Sequence, residues 1–429
     1  MPSILTGWAE RFRGLLRDGQ AVGGMEQELR GLVLGIGRQW LEASLNEHGL
    51  AVPGDVAQPG ERRLAGQKRV LHTLLGPVAL MRTYYHDGMR QTGRHPMDDA
   101  LGLVDGYTPA VASLIGRCAA ELPFAQAGAS FKAYTGLEVE ARQFQRLASY
   151  LGPIAERFLR ANLPSGEKTP PRVYIATDGT GAPLRHAELK GRKGRQADGS
   201  AQTHEIKVGA IFTQHPKKGE DPWRDLDSTT YVATPQRAEP FGRMMLDEFR
   251  RRFPVPPKEV VFLGDGAAWN WELQRTCFPG SIGIVDFYHA AEHVGAVAGL
   301  VEDRQSRDGR RRRRRWVKLL LRGKLDVFLA QARASLPPAR QEEGEKALAY
   351  FEKNRERMRY GEFRDRGCFI GSGVVEAACK TVVGQRFKSS GMHWSEKGLG
   401  NILPLRTALL SSRFDEFSTV LHQPLQAAG

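Results

Sequence analysis

The order of the apolar segments between residues 172 and 299 constrains the fold of this chain more than any other feature of its sequence. Three short segments with strand character come first, and helices then alternate with further strands. The predicted strands are residues 172–177, 206–213, 229–233, 259–264 and 281–286, and the predicted helices are residues 236–252, residues 269–276 and one from about Tyr288. This β-β-β-α-β-α-β-α order predicts an α/β fold in which helices cover the faces of a mixed sheet.

The remaining sequence predicts mostly helices around this sheet domain. Residues 69–85 have the alternation of a β-hairpin, residues 86–107 lack a regular pattern, and three short helices end near residues 122, 136 and 151. Three such helices are typical of a helix-turn-helix DNA-binding unit and equally of a plain helical bundle. We expect an N-terminal helical region (residues 1–66) and then a hairpin with DNA-binding helices (67–160). The first part of the sheet domain (161–299), an α-helical insertion (300–365) and the C-terminal helices of the sheet domain (366–429) should follow.

The charge balance indicates a polyanionic partner. The chain has 62 Lys and Arg against 48 Asp and Glu, a net charge of +14, which favours nucleic acid over the alternative of a basic soluble enzyme. The four cysteines form no CxxC pattern, which argues against a zinc finger or a disulfide scaffold. Residues 1–16 lack a signal core, and no apolar run approaches the roughly 18 residues of a membrane helix. We therefore expect a soluble, cytoplasmic protein without a membrane partner.

Two of the predicted strands end in an aspartate followed by glycine, at Asp178 and Asp265. Strands one and four are neighbours in the expected topology, so both carboxylates are predicted at one edge of the sheet, where ligands bind in α/β folds. Buried like charges repel unless a cation lies between them, and Mg²⁺ prefers oxygen ligands. Glu376, in the first turn of a predicted helix at residues 374–388, is the candidate third ligand. The alternatives are ordinary Asp-Gly turns and a Glu376–Lys380 pair on the helix surface.

Three carboxylates around two Mg²⁺ form a site for phosphodiester chemistry. Basic residues on the same predicted helix, Lys380, Arg386 and Lys388, are candidates for binding the phosphates that flank the scissile bond.

Several longer motifs resemble the ISKra-family insertion-sequence transposases. They are Asp178-Gly-Thr-Gly, Glu188-Leu-Lys-Gly-Arg-Lys-Gly, Gly264-Asp-Gly-Ala-Ala-Trp-Asn-Trp, Ile284-Val-Asp-Phe-Tyr-His-Ala-Ala-Glu-His, Gly371-Ser-Gly-Val-Val-Glu and Ser390-Gly-Met-His-Trp. The resemblance covers about residues 70 to 411. Some relatives have a cysteine-based zinc element after the hairpin; here His86 and His95 have no cysteine nearby.

The resemblance implies a DDE transposase with an RNase H-like core and a helical insertion between the second and third acidic residues. Its catalytic and metal-binding triad falls on Asp178, Asp265 and Glu376, with two Mg²⁺ or Mn²⁺ ions. Such an enzyme binds the terminal inverted repeats of its element, hydrolyses the strands at the element ends and joins them to target DNA. Because two ends are paired, we expect a homo-oligomer on DNA, in a bacterial, nucleoid-associated setting.

Further basic and histidine residues are candidates for contacts with DNA. A glycine-rich loop contains Lys190, Arg192, Lys193 and Arg195, and a second basic segment contains Arg310, Arg311, Arg312, Arg313, Arg314 and Arg315. The alternative for the second segment is a solvated surface, and Trp316 after it is either a base-stacking residue or a core anchor. In the transposase interpretation His289 orients a phosphate or water or is simply packed, and Asp286 supports the metal ligands.

Two other functions are compatible with parts of the sequence. His289, Glu292 and His293 match the H-x-x-E-H pattern of zinc metallopeptidases, in which two histidines one helical turn apart bind zinc and the glutamate acts as a base. That interpretation does not explain the strand-end aspartates or the positive charge. A DNA-binding derivative without catalysis is the other alternative, although all three carboxylates are present.

Overall fold

The computed structural model describes residues 2–19, 22–47, 52–161, 168–189, 203–215 and 223–422. The chain forms two compact units. The first comprises residues 1–147 and 415–429, and the second comprises residues 148–414. The boundary lies within the helix Ala141–Arg160, before the predicted start of the sheet domain at residue 161.

The first unit combines helices with a three-stranded antiparallel sheet. Its elements are α1 (Pro2–Arg17), α2 (Val22–Leu45), β1 (Glu61–Thr73), β2 (Gly76–Asp87), β3 (Thr92–Arg94), α3 (Pro96–Ala100), α4 (Pro109–Glu121) and α5 (Phe124–Thr135), and α6 (Ala141–Arg160) begins here. Leu71, Val78 and Leu80 form the buried face of the hairpin, and Met97 of α3 packs against them. The helices predicted to end near residues 122 and 136 are confirmed as α4 and α5.

Three predicted boundaries in this region are wrong. β1 begins at Glu61 and not near residue 69. The prediction missed residues 61–68 because they are largely exposed and therefore lack the apolar alternation that marks a strand. The expected loop at 86–107 contains β3 and α3, whose Met97 covers the hairpin. Helix α6 continues past residue 151 despite Pro153, and residues beyond the proline, such as Ala155, are buried.

The second unit is built on a mixed β-sheet, which confirms the α/β prediction. Its first elements are β4 (Arg172–Pro183), β5 (Thr203–His215), β6 (Trp223–Arg224), β7 (Thr230–Thr234), α7 (Ala238–Arg252), β8 (Glu259–Gly264), α8 (Ala268–Cys277), β9 (Ile282–Val285) and α9 (Phe287–Val301). β4 is central, antiparallel to β5 and parallel to β8, while β7 pairs with β5 and β9 with β8. The order across the sheet is therefore β7-β5-β4-β8-β9, with the short β6 at the end of β5.

Asp178 lies inside β4 and not at its end, contrary to the prediction. Residues 178–183 continue the strand because they pair with residues 203–208 of β5. The parallel pairing with β8 ends earlier, at Ala176 opposite Leu263. The Gly-rich sequence after Thr177 is typical of a turn, but hydrogen bonds from a strand 20 or more residues away keep it extended.

Residues 300–365 are helical, as predicted for the insertion. They contain the end of α9 and the whole of α10 (Arg307–Leu321), α11 (Leu325–Ser335), α12 (Gln341–Lys353) and α13 (Tyr360–Asp365). Trp316 is 1% exposed and packs edge-on against Phe328, with 5.6 Å between the ring centroids. It is therefore a core anchor of the insertion and not a base-stacking residue.

The predicted helix at 374–388 is present but irregular. It consists of α14 (Gly373–Ala378), a π-helical segment (Cys379–Gly384) and α15 (Gln385–Phe387), and α16 (Glu396–Leu410) follows. Such π segments occur often at functional sites. Within the described ranges, no helix has both the length and the apolar character to cross a membrane.

Candidate functional site

Asp178, within β4, and Asp265, directly after β8, lie at the same level of two adjacent parallel strands. Ala176 of β4 is opposite Leu263 of β8, and each aspartate follows two residues later. Burial raises the pKa of Asp178, and the negative charge of Asp265 raises it further, while a hydrogen bond from the backbone N–H of Gly179 (2.7 Å) lowers it. The predicted convergence of these two carboxylates is thus supported by their register and by their electrostatic interaction.

A buried asparagine, which sequence analysis did not select, holds the Asp265 carboxylate in place. Asp265 Oδ1 accepts hydrogen bonds from the backbone N–H of Ala267 (2.9 Å) and from Asn270 Nδ2 (2.7 Å). Asn270 is 0% exposed, and its Oδ1 accepts a hydrogen bond from Thr177 Oγ1 (2.8 Å). Asn270 therefore connects Asp265 with the residue that precedes Asp178. Its signal in the sequence was its place in the motif after Asp265.

Glu376 lies on α14, which contacts β4 and β5, and the π-helical segment that continues it contacts Asp178. Cys379, one turn after Glu376, donates a hydrogen bond from Sγ to Asp178 Oδ2 (3.4 Å). Burial and the negative charge of Asp178 raise the pKa of the Cys379 thiol, so it remains a neutral donor. Cys379 was not selected from the sequence, since a lone cysteine forms no pattern.

The side chain of Glu376 is grouped most closely with two other candidates. One potential metal-ligating atom from each of Asp286, His289 and Glu376 lies within 4.8 Å of the others. Asp178 and Asp265 are not members of this group. The structure therefore brings Asp178 together with Asp265, and Glu376 together with Asp286 and His289, with Cys379 linking the two sets.

Asp286 is fully buried and connects two segments that are distant in the sequence. It caps α9 by accepting a hydrogen bond at Oδ1 from the backbone N–H of His289 (2.6 Å). Its Oδ2 accepts one from the backbone N–H of Ser372, just before α14, and Phe287 donates from its backbone N–H to Ile370 O (2.9 Å). These bonds fix the start of the Glu376 helix against the end of β9.

The two histidines of the H-x-x-E-H pattern have different surroundings. His289 is near the acidic residues, whereas the His293 ring stacks on Tyr350 with 3.8 Å between centroids, and burial lowers the pKa of His293. Glu292 is exposed. Among the described residues, the group that could hold a metal includes His289 but not His293. This arrangement does not favour the metallopeptidase interpretation.

The carboxylates at this edge of the sheet fit a divalent cation. Within the described residues, Asp178, Asp265 and Asp286 accept hydrogen bonds from neutral donors: backbone N–H groups, the Asn270 amide and the Cys379 thiol. Together with Glu376, these residues offer mainly oxygen ligands, with one imidazole at His289. Since several carboxylates close together repel unless a cation compensates them, a hard divalent ion suits this site.

The predicted phosphate-binding residues have mixed outcomes. The prediction that Arg386 contacts DNA is wrong, because Arg386 is 0% exposed and packs 5.0 Å from the Trp394 ring centroid; burial lowers the pKa of Arg386 to about 10. Lys380 and Lys388 are exposed, and Lys388 Nζ donates to Thr180 Oγ1 (2.6 Å), two residues beyond Asp178 in β4. The predicted loop contacts lie outside the described residues: Lys190, Arg192, Lys193 and Arg195.

The arginine run belongs to α10 and is mostly exposed. Arg312 forms an ion pair with Glu302 (3.1 Å) and donates to Ser335 Oγ (3.2 Å), so it supports the insertion. The other five arginines of the run are exposed, namely Arg310, Arg311, Arg313, Arg314 and Arg315. They remain candidates for contacts with phosphates.

Comparison with known proteins adds no family assignment. No protein-family model matches the chain, and none of the curated proteins matches its sequence.

Proposed function

We propose that this protein is a DDE transposase that cleaves and joins DNA strands at the ends of an insertion sequence. The observation that carries the proposal is the placement of Asp178 in β4 and Asp265 directly after the adjacent parallel strand β8 at the same level, with the Glu376 helix contacting Asp178 through Cys379. The strand order supports it as well. Three antiparallel strands followed by two parallel ones, in the order 3-2-1-4-5, correspond to the RNase H-like arrangement that we infer for the core.

In this proposal Asp178, Asp265 and Glu376 hold two Mg²⁺ or Mn²⁺ ions. When bound, the ions activate the attacking water or 3′-hydroxyl and stabilise the leaving oxygen. Asn270 orients the Asp265 carboxylate, and Cys379 orients that of Asp178. Asp286 holds the start of the Glu376 helix, and His289, half exposed beside Glu376, orients a phosphate or water.

The substrate follows from charge. A net charge of +14 favours a polyanion. Lys388 lies near Asp178, and the exposed arginines of α10 provide a second basic surface, so both can bind the backbone of donor or target DNA without reading its sequence. The terminal inverted repeats of the element are the expected specific substrate, and pairing of two ends calls for a homo-oligomer on DNA.

A strand-cleavage assay tests the proposal. Duplex oligonucleotides from the DNA that flanks the gene are incubated with the protein and Mg²⁺ or Mn²⁺, and nicked products are resolved on denaturing gels. Asp178→Asn, Asp265→Asn and Glu376→Gln should each reduce cleavage to background while leaving DNA binding in place. Glu272→Gln is the matched control, since Glu272 is exposed on α8 and pairs with Arg275. Unchanged cleavage in any of the three acidic variants would refute the triad.

The same assay separates the non-catalytic alternative. If the wild-type protein binds the terminal repeats but does not cleave them with any divalent metal, it is a DNA-binding derivative. A wild-type protein that does neither is not a transposase.

A further inference from the structure

The helical insertion contacts the backbone at Asp265 directly. Tyr350, on α12, donates a hydrogen bond from its hydroxyl to the backbone carbonyl of Asp265 (3.2 Å). Tyr350 lies 85 residues beyond Asp265 in the chain, so this contact joins the insertion to the core at the residue that the proposed function assigns as a metal ligand.

The Tyr350 ring is also packed closely on the turn after Asp265. Gly266 has a φ of +98°, and a Cβ built at this glycine would lie 2.8 Å from Tyr350 Cε2 and from its hydroxyl oxygen. His293 of α9 stacks on the same Tyr350 ring, with 3.8 Å between centroids and 20° between the ring planes. Only glycine combines this φ with this close approach of an aromatic ring.

Tyr350 is held by the core of the insertion itself. Its neighbour Phe351 is 0% exposed and packs edge-on against Phe328 of α11, with 4.9 Å between centroids. Phe328 in turn packs against Trp316 of α10. The position of the phenol is thus set by buried aromatic packing across three insertion helices and not by a flexible surface side chain.

The turn that Tyr350 contacts also sets the direction of the Asp265 carboxylate. The carboxylate is held at one oxygen by the backbone N–H of Ala267 and by Asn270. These bonds depend on the path of the backbone from Gly264 to Ala267, and Tyr350 fixes the middle of that path, at the Asp265 carbonyl and at Gly266.

We propose that Tyr350 is a positioning residue for Asp265, so that the helical insertion forms a structural part of the metal site. This inference rests on the proposed function, because it concerns a residue that acts only through the metal ligand Asp265. The phenol contacts no reacting atom, and its effect is on how well the carboxylate is oriented for a divalent ion.

The test compares two tyrosines that make the same kind of bond. Tyr350→Phe removes the hydroxyl that binds the Asp265 carbonyl. Tyr360→Phe is the matched control, since Tyr360 of α13 is buried and donates to a core carbonyl, that of Val285 (3.0 Å). Mn²⁺ binding to the metal-free, full-length protein is measured by calorimetry and by electron paramagnetic resonance of free Mn²⁺, alongside Asp265→Asn, and thermal unfolding is recorded for each variant.

We expect Tyr350→Phe to weaken Mn²⁺ binding about threefold to tenfold, the range for loss of one hydrogen bond. Tyr360→Phe should leave Mn²⁺ affinity unchanged at a similar loss of thermal stability. In cleavage assays Tyr350→Phe should lower kcat at limiting Mn²⁺, and kcat should return to the wild-type value at high Mn²⁺. The KM for DNA should not change. A purely structural role would not produce this dependence on Mn²⁺.

The outcomes separate this inference from the proposed function. If Asp265→Asn does not weaken Mn²⁺ binding relative to wild type, both the positioning role and the proposed function are overturned. If Asp265→Asn weakens Mn²⁺ binding but Tyr350→Phe does not, the positioning role alone is overturned. Equal weakening in Tyr350→Phe and Tyr360→Phe also overturns it, because the effect is then general destabilisation.

Discussion

Replacement of Asp286 by alanine should destabilise the second unit more than loss of an ordinary helix cap. Asp286 is 0% exposed and accepts two backbone hydrogen bonds, from His289 at the start of α9 and from Ser372 before α14. Alanine leaves both donors without the carboxylate. The two bonds join segments that are separated in the chain by the whole insertion.

The magnitude can be worked out bond by bond. Loss of the cap on α9 costs about 1 kcal/mol. The Ser372 N–H lies in a buried bond, and an unsatisfied buried donor costs about 1–3 kcal/mol. The expected decrease in the free energy of unfolding is therefore about 2–4 kcal/mol. Asp286→Asn keeps the shape and one acceptor oxygen but turns an N–H group toward one of the donors, so it should fall between wild type and Asp286→Ala.

Urea unfolding followed by circular dichroism measures this difference, provided that the slope of the transition does not change between variants. The matched control is Ser395→Ala, which removes the cap of α16, where Ser395 Oγ accepts from the backbone N–H of Gly398 (3.0 Å). That cap is neutral and part-buried, so its removal should cost about 1 kcal/mol. If Asp286→Ala costs no more than Ser395→Ala, the two backbone bonds of Asp286 do not hold the core together as described.

Two further predictions concern charged side chains. Replacement of the exposed Arg311, Arg314 and Arg315 of α10 by alanine should reduce the salt dependence of DNA binding. The log–log slope should fall by about one unit for each phosphate that is no longer bound, whereas Arg275→Ala should leave the slope unchanged. Fluorescence anisotropy at several salt concentrations measures the slope. Hydrogen bonds from Arg94 lower the pKa of Glu61 from 4.5 to about 2. The stabilisation of the fold by ionised Glu61 should be present above pH 4.5 and disappear as the pH falls towards 2. The difference in melting temperature between wild type and Glu61→Gln should therefore vanish over that range. A constant difference would contradict the pairing of Glu61 with Arg94.

Local sequence was sufficient for elements whose hydrogen bonds and burial are themselves local. Strand β8 has the predicted bounds, and α4 and α5 end within a residue or so of the predicted positions near residues 122 and 136. The helical nature of residues 300–365 and the position of Asp265 directly after a strand follow from the same cues. Apolar runs between turn residues and the period of 3.6 residues depend on near neighbours, so a single chain segment contains the information.

The candidate site was predictable in its acidic residues but not in their grouping. The sequence predicts Asp178, Asp265 and Glu376, because carboxylates near strand ends and on a nearby helix suit divalent ions. Supporting roles for Asp286 and His289 at this site are among the predictions, but their direct grouping with Glu376, apart from Asp178 and Asp265, is not. The supporting residues Asn270 and Cys379 are not predicted either. A hydrogen bond to a residue 93 or 201 positions away leaves no local pattern.

Tertiary structure alone decided the features that depend on distant partners. Asp178 is internal to β4 because β5 pairs with a Gly-rich segment that by itself predicts a turn. Arg386, which the sequence places as a surface cation on the Glu376 helix, is buried beside Trp394. Tyr350 reaches the Asp265 carbonyl only because the insertion folds back on the core. The amino-acid sequence determined which segments are strands and helices and where acidic and basic groups occur along them; the packing of segments far apart in the chain determined which of those groups are buried, paired or brought to one edge of the sheet.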